Sequence, residues 1–411
     1  MLLSFAVSSL RSRAKSVLLT FLSLLISISV LLSVELIRLQ AEASFNRTVS
    51  GVDLIVGAPS GQMNLMLYSI FRMGSPTNNV EYDSFEMLEN NEQVSWAIPV
   101  ALGDSHHGYR VLGTNQTYFE HYKYGNKQHL AFADGEPFKG IFDTVIGADV
   151  AKKLAYKVGD KIVIAHGTGA VSFTNHDQSP FTITGILAPT GTPVDKTVHV
   201  SLAGIEAMHL APSQLKDILA NPDNFSNPLV QPDSVTAVLL GLKSKFATFT
   251  LQRALNNYED DRLMAILPGV AMAELWKMMG TVENILRVIS VLILVSSLFG
   301  LSTMLLASMQ QREKEIAVLR ILGAGAGVVF LLILTEAIVI AVSASVVSLG
   351  LVTSIFAGAK GWLASEYGLF LSANVFNTHS AMVIGAVVVA TLITSLLPAI
   401  DAYRSAIHSR L

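Results

Sequence analysis

Cysteine is absent from all 411 residues. That excludes disulfides, thiolate metal ligands and cysteine nucleophiles. It does not fix the compartment, although a domain in an oxidising space tolerates the lack well. Charge is also scarce. Asp, Glu, Lys and Arg make up only 14% of the chain, with a formal net charge of −3, so there is no basic excess for nucleic acid. The common catalytic signatures are missing too. No G-x-x-x-x-G-K-[ST] occurs, so the chain has no P-loop for a nucleotide. No G-x-S-x-G, no H-E-x-x-H and no complete S-x-x-K motif set is present. The Gly-rich "HGTGA" (His166–Ala170) follows a strand-like run but opens no helical pattern, and reads as a turn.

What remains is strongly apolar. Hydrophobic residues account for 51% and the mean hydropathy is +0.50. That is too apolar for an ordinary soluble enzyme and too polar for a chain made only of membrane helices, so a mixture is expected. Four runs reach the roughly 20 residues that a spanning helix needs. They are Val17–Ile37, Val288–Met309, Val328 to about Phe356, and Ala381–Ala399. Short-loop basic residues set the orientation. Arg11, Arg13 and Lys15 precede the first run, Arg312, Lys314 and Arg320 separate the second from the third, and Arg404 and Arg410 follow the fourth. The loop after the third run carries only Lys360. Both termini are therefore expected in the cytoplasm and the large domain outside. "AEA" at Ala41–Ala43 resembles a signal-peptidase site, but the apolar run before it is too long for a signal peptide, so an uncleaved first span is expected.

The residues between the first two runs alternate strand-like and helical patterns. "GVDLIVG", "WAIPVALGDSHHGYRVLGT", "FTITGIL", "KTVHVSL" and "SVTAVLLGL" read as strands, and "NLMLYSIFRM" and Phe246–Tyr258 as helices. The expected fold is four transmembrane α-helices plus a large extracytoplasmic α+β domain inserted between helices 1 and 2. The expected order is a cytoplasmic amphipathic helix (1–16), span 1 (17–39), and a two-lobed outer domain ending in a stalk helix (40–280). Span 2 (281–309), a cytoplasmic segment (310–326) and span 3 (327–356) follow. A short outer loop (357–380), span 4 (381–400) and a cytoplasmic tail (401–411) complete the chain.

Candidate residues for function are few. Eight of the ten histidines fall in the outer domain: His106, His107, His121, His129, His166, His176, His199 and His209. Imidazole is a good ligand for zinc or copper, but no pair has the spacing of a helical or finger-type site. Exposed turn histidines are the expectation, with His106 and His107 diverging in a hairpin turn. Glu336 lies about 12 Å along the third run by helical rise. An ionisable residue there is a functional candidate. As the lone charge of its run it is expected to be a buried hydrogen-bonding residue that fixes helix packing, with a place in a proton path as the alternative. Small residues at Ser296/Gly300, Ala337/Ala341/Ser345 and Ala386/Ala390 would let helices approach closely.

The segment "QQREKEIAVLRILGA" (Gln310–Ala324) stands between two spans. Ile316, Leu319 and Leu322 form an apolar side, with Arg312, Glu313, Lys314, Glu315 and Arg320 around it. A stop-transfer cap needs no such stripe. An amphipathic cytoplasmic helix of this kind is what a membrane subunit presents to a soluble motor.

Three stretches together resemble the FtsX/MacB family of ABC transporter permeases. "QREKEIAVLRILGA" is similar to the family's charged run before Leu-Arg-x-Leu-Gly-Ala, here Leu319–Ala324. "LLPAIDAYRSA" (Leu396–Ala406) resembles its closing Pro-Ala pattern, although the tail "AIHSRL" departs from the usual continuation. "IGADVAKKLAYKVGDKIVI" followed by "FTITGIL" resembles the outer domain's helix, Gly-Asp turn and returning strand. The resemblance implies a homodimeric mechanotransmission permease in the bacterial inner membrane, in contact with membrane lipid. It also implies a separate cytoplasmic ABC ATPase subunit that binds the ATP and Mg, with no cofactor and no catalysis in this chain. Glu313, Glu315, Ile316, Leu319, Arg320 and Leu322 are then the expected ATPase-coupling residues. A periplasmic adaptor or substrate-binding protein is a further expected type of partner. The implied function is export or release of a periplasmic or outer-leaflet substrate. Alternatives are lipoprotein release, FtsX-like regulation of a periplasmic enzyme, and envelope metal handling with a metal-binding partner.

Overall fold

Long runs of Leu, Ile, Val and Ala dictate long helices once no water competes for the backbone. The computed structural model describes the chain except for residues 1, 49, 168–177, 312–323, 368–375 and 409–411. Two compact units emerge, one built on the apolar helices and the other on Glu42–Met278.

The helical unit contains α1 (Leu2–Ser12) and parts of α2 (Ala14–Thr48) and α10 (Pro268–Gln311). Two more long helices follow, α11 (Ala326–Tyr367) and α12 (Thr378–His408). Among the described residues four stretches are long and apolar enough to cross a membrane: Ala14–Glu42, Pro268–Met309, Ala326–Ala359 and Thr378–Arg404. The helices outrun the expected spans. α10 opens with Pro268, whose fixed φ suits a first helical turn, and nothing stops it before Gln311. Residues 357–367, expected in a loop, continue α11, because Ala, Lys, Leu and Glu favour helix there. The expected tail is helical to His408.

Pro398 sits inside α12. Proline has no N–H, so the carbonyl four residues earlier, that of Thr394, loses its helical donor. The Ser302 hydroxyl donates to that carbonyl at 3.1 Å, which a membrane interior requires of any freed backbone group. The same logic runs through the bundle. Ser23 and Ser27 bond Ser297 at 3.0 and 2.5 Å, and Ser348 donates to the Leu25 carbonyl at 2.9 Å. The apolar core places Leu24, Ile28, Leu32 and Leu36 of α2 against Leu294, Leu298, Leu301 and Leu305 of α10, with Ile333, Ala337, Ile340, Ala341 and Ala344 of α11. Of the expected small-residue contacts, Ala337, Ala341 and Ser345 are buried in the bundle. Ser296, Gly300 and Ala386 are exposed on its outer surface, and the neighbouring Ser297 is the buried residue instead.

The second unit is a mixed sheet with helices on its faces. Its main strands are β1 (Leu54–Gly57), β2 (Val94–His106), β3 (Tyr109–Thr114), β4 (Phe132–Gly135) and β5 (Asp143–Ile146). The rest are β6 (Phe181–Leu187), β7 (Thr197–Ser201), β8 (Ala237–Leu242) and β9 (Met264–Ile266). The order is β9-β1-β8-β2-β3-β7-β5-β6-β4, with short strands Ala165–His166 and Lys161–Ile162 added at β2 and β6. β2 carries the sheet from one half to the other. Val94–Val100 pairs with β8, and Ala101–His106 pairs with β3. The two expected lobes are thus two ends of one sheet. A core of Ile98, Val100, Leu112, Val145, Leu187 and Leu239 runs under both. Helices α3 (Gln62–Ser69), α4 (Tyr82–Glu89), α5 (Thr117–His121), α6 (Ala148–Leu154), α7 (Leu202–Met208), α8 (Pro212–Ala220) and α9 (Thr248–Asn256) cover it. Burial alternates along β6 as in a half-buried strand, whereas β1, β7 and β8 are buried almost throughout.

Candidate functional site: ionic contacts of the helix bundle

Glu336 is 1% exposed and is not alone. The Arg13 guanidinium donates to its Oε2 at 3.0 Å, and the Ser9 hydroxyl donates to its Oε1. Arg13 also donates to Ser9 Oγ at 3.1 Å. The helix break between α1 and α2 makes this possible. α1 ends at Ser12 and α2 begins at Ala14, so Arg13 stands at the corner where its long side chain can turn inward. The expectation that Glu336 fixes helix packing fits this arrangement. The expectation that no charge accompanies it was drawn from its own helix, and the partner comes from another. α1 likewise does more than offer an amphipathic face to the interface, since Ala6, Ser9 and Leu10 are buried.

A second ionic group involves Glu35. It accepts from Arg287 of α10 at 3.0 Å and from Arg38 of its own helix at 2.7 Å. Neither Arg13 nor Arg287 stands out from the sequence as a site residue. A basic residue at the start of one span and a lone carboxylate near the start of a parallel span are the only signal, and it shows only once depths are compared.

The expected coupling residues Glu313, Glu315, Ile316, Leu319, Arg320 and Leu322 lie outside the described residues. Contacts within the bundle fix which helix ends lie together. Arg13 meets Glu336, Phe330 meets Tyr403 edge-on at 6.4 Å, and Glu35 meets Arg287 toward the other end. The four long helices therefore alternate in direction. α1, the last turns of α12 and both flanks of 312–323 share one end of the bundle.

In the outer domain the histidines divide. His107 lies exposed at the β2–β3 turn with φ 49°. His106 beside it is buried, against expectation, and the two rings touch edge to face at 4.5 Å rather than diverging. His106 Nδ1 meets the Val163 carbonyl at 2.7 Å and therefore donates. Its Nε2 accepts from the Tyr156 hydroxyl at 3.0 Å. Burial pushes its pKa down, with His107 adding to the effect and the Val163 bond opposing it. His199 is completely buried on β7, its Nδ1 donating to the Val145 carbonyl at 3.1 Å. Burial, followed by the charge of Arg72, lowers its pKa to about 3, so the ring is neutral. These two are core residues. Among the described residues no group of three or more His, Asp and Glu stands close enough to hold a metal.

Comparison with known proteins addresses the whole chain. Residues 17–256 match the family description of the MacB-like periplasmic core domain, over more than half of the chain. The chain belongs to the FtsX/MacB-like permease family. Residues 287–407 of the permease match the FtsX-like permease C-terminal region. The crystal structure of the periplasmic region of MacB from Actinobacillus actinomycetemcomitans is a structural match at 10% identity and a TM-score of 0.33. It covers 57% of this chain and 95% of that one. No curated protein matches. The family assignment makes this a multi-pass membrane protein of the ABC transporter permease type. Such permeases are generally non-enzymatic and in general work with an ABC ATPase and as dimers.

Proposed function

We propose that this chain is the membrane subunit of an ABC-type machine in which a separate cytoplasmic ATPase does the hydrolysis. Its outer domain would then move, to export or release a periplasmic or outer-leaflet substrate. The carrying observation is the pairing, in one chain, of a MacB-like core domain with an FtsX-like permease region, in a sequence without a P-loop. The ATPase holds ATP and Mg; this chain holds neither. The permease acts as a homodimer in the bacterial inner membrane, with both termini and residues 310–326 in the cytoplasm and residues 40–280 in the periplasm. Glu313, Glu315, Ile316, Leu319, Arg320 and Leu322 form the ATPase contact. The bundle supports a role in transmitting motion more than a role as a pore. Its interior is filled by leucine, isoleucine, alanine and hydroxyls that bond one another.

The test is a mild-detergent pull-down of the tagged chain from its native membrane, with mass spectrometry and an ATPase assay. Co-purification of a P-loop subunit with ATPase activity is expected, and so is its loss in Glu315→Lys or Arg320→Glu. A preparation that never carries an ATPase would remove the motor and with it this reading.

A further inference from the structure

Span 1 carries an ionic contact at each end. At its start Arg13 bonds Glu336 of α11. Twenty-two positions later Glu35 bonds Arg287 of α10. By helical rise the two points are roughly 33 Å apart, about the depth of a bilayer's hydrocarbon core. Between them span 1 offers its neighbours only hydroxyls, a carbonyl and apolar side chains. These two kinds of contact respond differently to sliding. A hydroxyl that loses one oxygen partner finds another a turn away. Separating a buried carboxylate from the guanidinium of a neighbouring helix costs more, because the charge pairing across the two helices is lost in a low dielectric. Glu35 then keeps only Arg38 of its own helix, which does not tie span 1 to a neighbour.

The partners are as informative as the pairs. α10 enters residues 312–323 and α11 leaves them. Span 1 is therefore pinned to both helices that flank the coupling segment, one contact at each end of span 1. We propose that Arg13, Glu336, Glu35 and Arg287 are positioning residues. They lock the axial register of span 1 against spans 2 and 3, so that the three helices move as one piece when the ATPase acts. This rests on the reading in the preceding subsection. A push on the segment is then not taken up by α10 sliding past α11.

The cysteine-free chain allows a direct test with the full permease in lipid nanodiscs. Spin labels at Leu19→Cys and Val328→Cys, both exposed positions, report span 1 against span 3. Labels at Ile37→Cys and Leu286→Cys, also exposed, report span 1 against span 2. Labelled chain is diluted with unlabelled chain. In the native background each distance distribution is expected to be narrow and unchanged by ATP with vanadate in the ATPase complex. In Arg13→Met/Glu336→Met the first distribution is expected to broaden, and in Glu35→Met/Arg287→Met the second, with melting temperatures near that of the parent. Arg13→Met/Glu336→Met removes both charges of the buried pair together, and in Glu35→Met/Arg287→Met the remaining Arg38 is about a quarter exposed to water, so both variants are expected to fold. A nucleotide-dependent shift in the native background overturns the proposal, and so do variants with unaltered widths. The widths are read without nucleotide, so they judge the lock even if no ATPase is found, an outcome that would sink only the coupling reading.

Discussion

The Ser302 hydroxyl donates to the Thr394 carbonyl, the one carbonyl of α12 that Pro398 deprives of its backbone donor. A side chain on one helix thus completes the hydrogen-bonding of another. Ser302→Ala is expected to lower stability by about 1 kcal/mol, as loss of a single such bond does. In a Pro398→Ala background the helix restores its own bond, and the same serine substitution becomes nearly neutral. Thermal unfolding of the four chains of this cycle in detergent measures the coupling. Equal effects of the serine change in both backgrounds would show that the contact is incidental.

Breaking the Arg13–Glu336 pair from one side strands a charge. Glu336→Met or Arg13→Met alone is expected to cost roughly 3–5 kcal/mol, while the double methionine variant stays near the parent. Melting temperatures of the three variants, compared as a cycle, check this. Additive losses would mean that the two residues do not act together.

Stability of the outer domain is expected to fall with acid. His199 has a folded pKa of about 3, below the ordinary value near 6.5. The unfolded chain therefore binds the extra proton first. The contribution is fully present above pH 6.5 and is lost progressively as the pH falls toward 3. The slope is about 1.4 kcal/mol per pH unit for one group, so the loss at pH 5 is about 2 kcal/mol. His106 is shifted in the same direction. His199→Gln keeps an amide donor for Val145 and does not titrate. The difference in melting temperature between pH 7 and pH 5 should shrink in that variant.

Two glycines of the outer domain separate space from conformation. A methyl group on Gly147 would press against the carbonyl oxygens of Val194 and Asp195, which belong to the backbone and cannot rotate away, whereas one on Gly103 would meet nothing. Gly147→Ala is expected to destabilise by about 1–3 kcal/mol, as overpacking does, and Gly103→Ala to leave the melting temperature nearly unchanged.

Much of the fold is legible in the sequence because its signals are local. The period-two run "FTITGIL" becomes β6, and "HHG" becomes the β2–β3 turn. The apolar runs become the four long helices, although their ends moved, because nothing in "AGAKGWLASEY" stops a helix. What stayed hidden depends on residues far apart in the chain. Glu336 looked solitary because Arg13 is 323 positions away. His106 looked exposed because Val163 and Tyr156, which enclose it, arrive from another part of the sheet.

The long strand β2 has a consequence for how the outer domain folds. Its first seven residues belong to a half-sheet whose other strands, β1, β8 and β9, come from the two ends of the domain's sequence. Its last six begin a half contributed by the continuous stretch from β3 to β7. The first half cannot close until the second has been synthesised, and contacts of such sequence separation form slowly. Amide hydrogens of Val94–His106 on either side of the junction at Val100–Ala101 should exchange at one common slow rate, because opening one half exposes the strand that organises the other. A fragment covering β3 to β7 alone would lack the strand on which it assembles, so the domain should fold and unfold as a single cooperative piece.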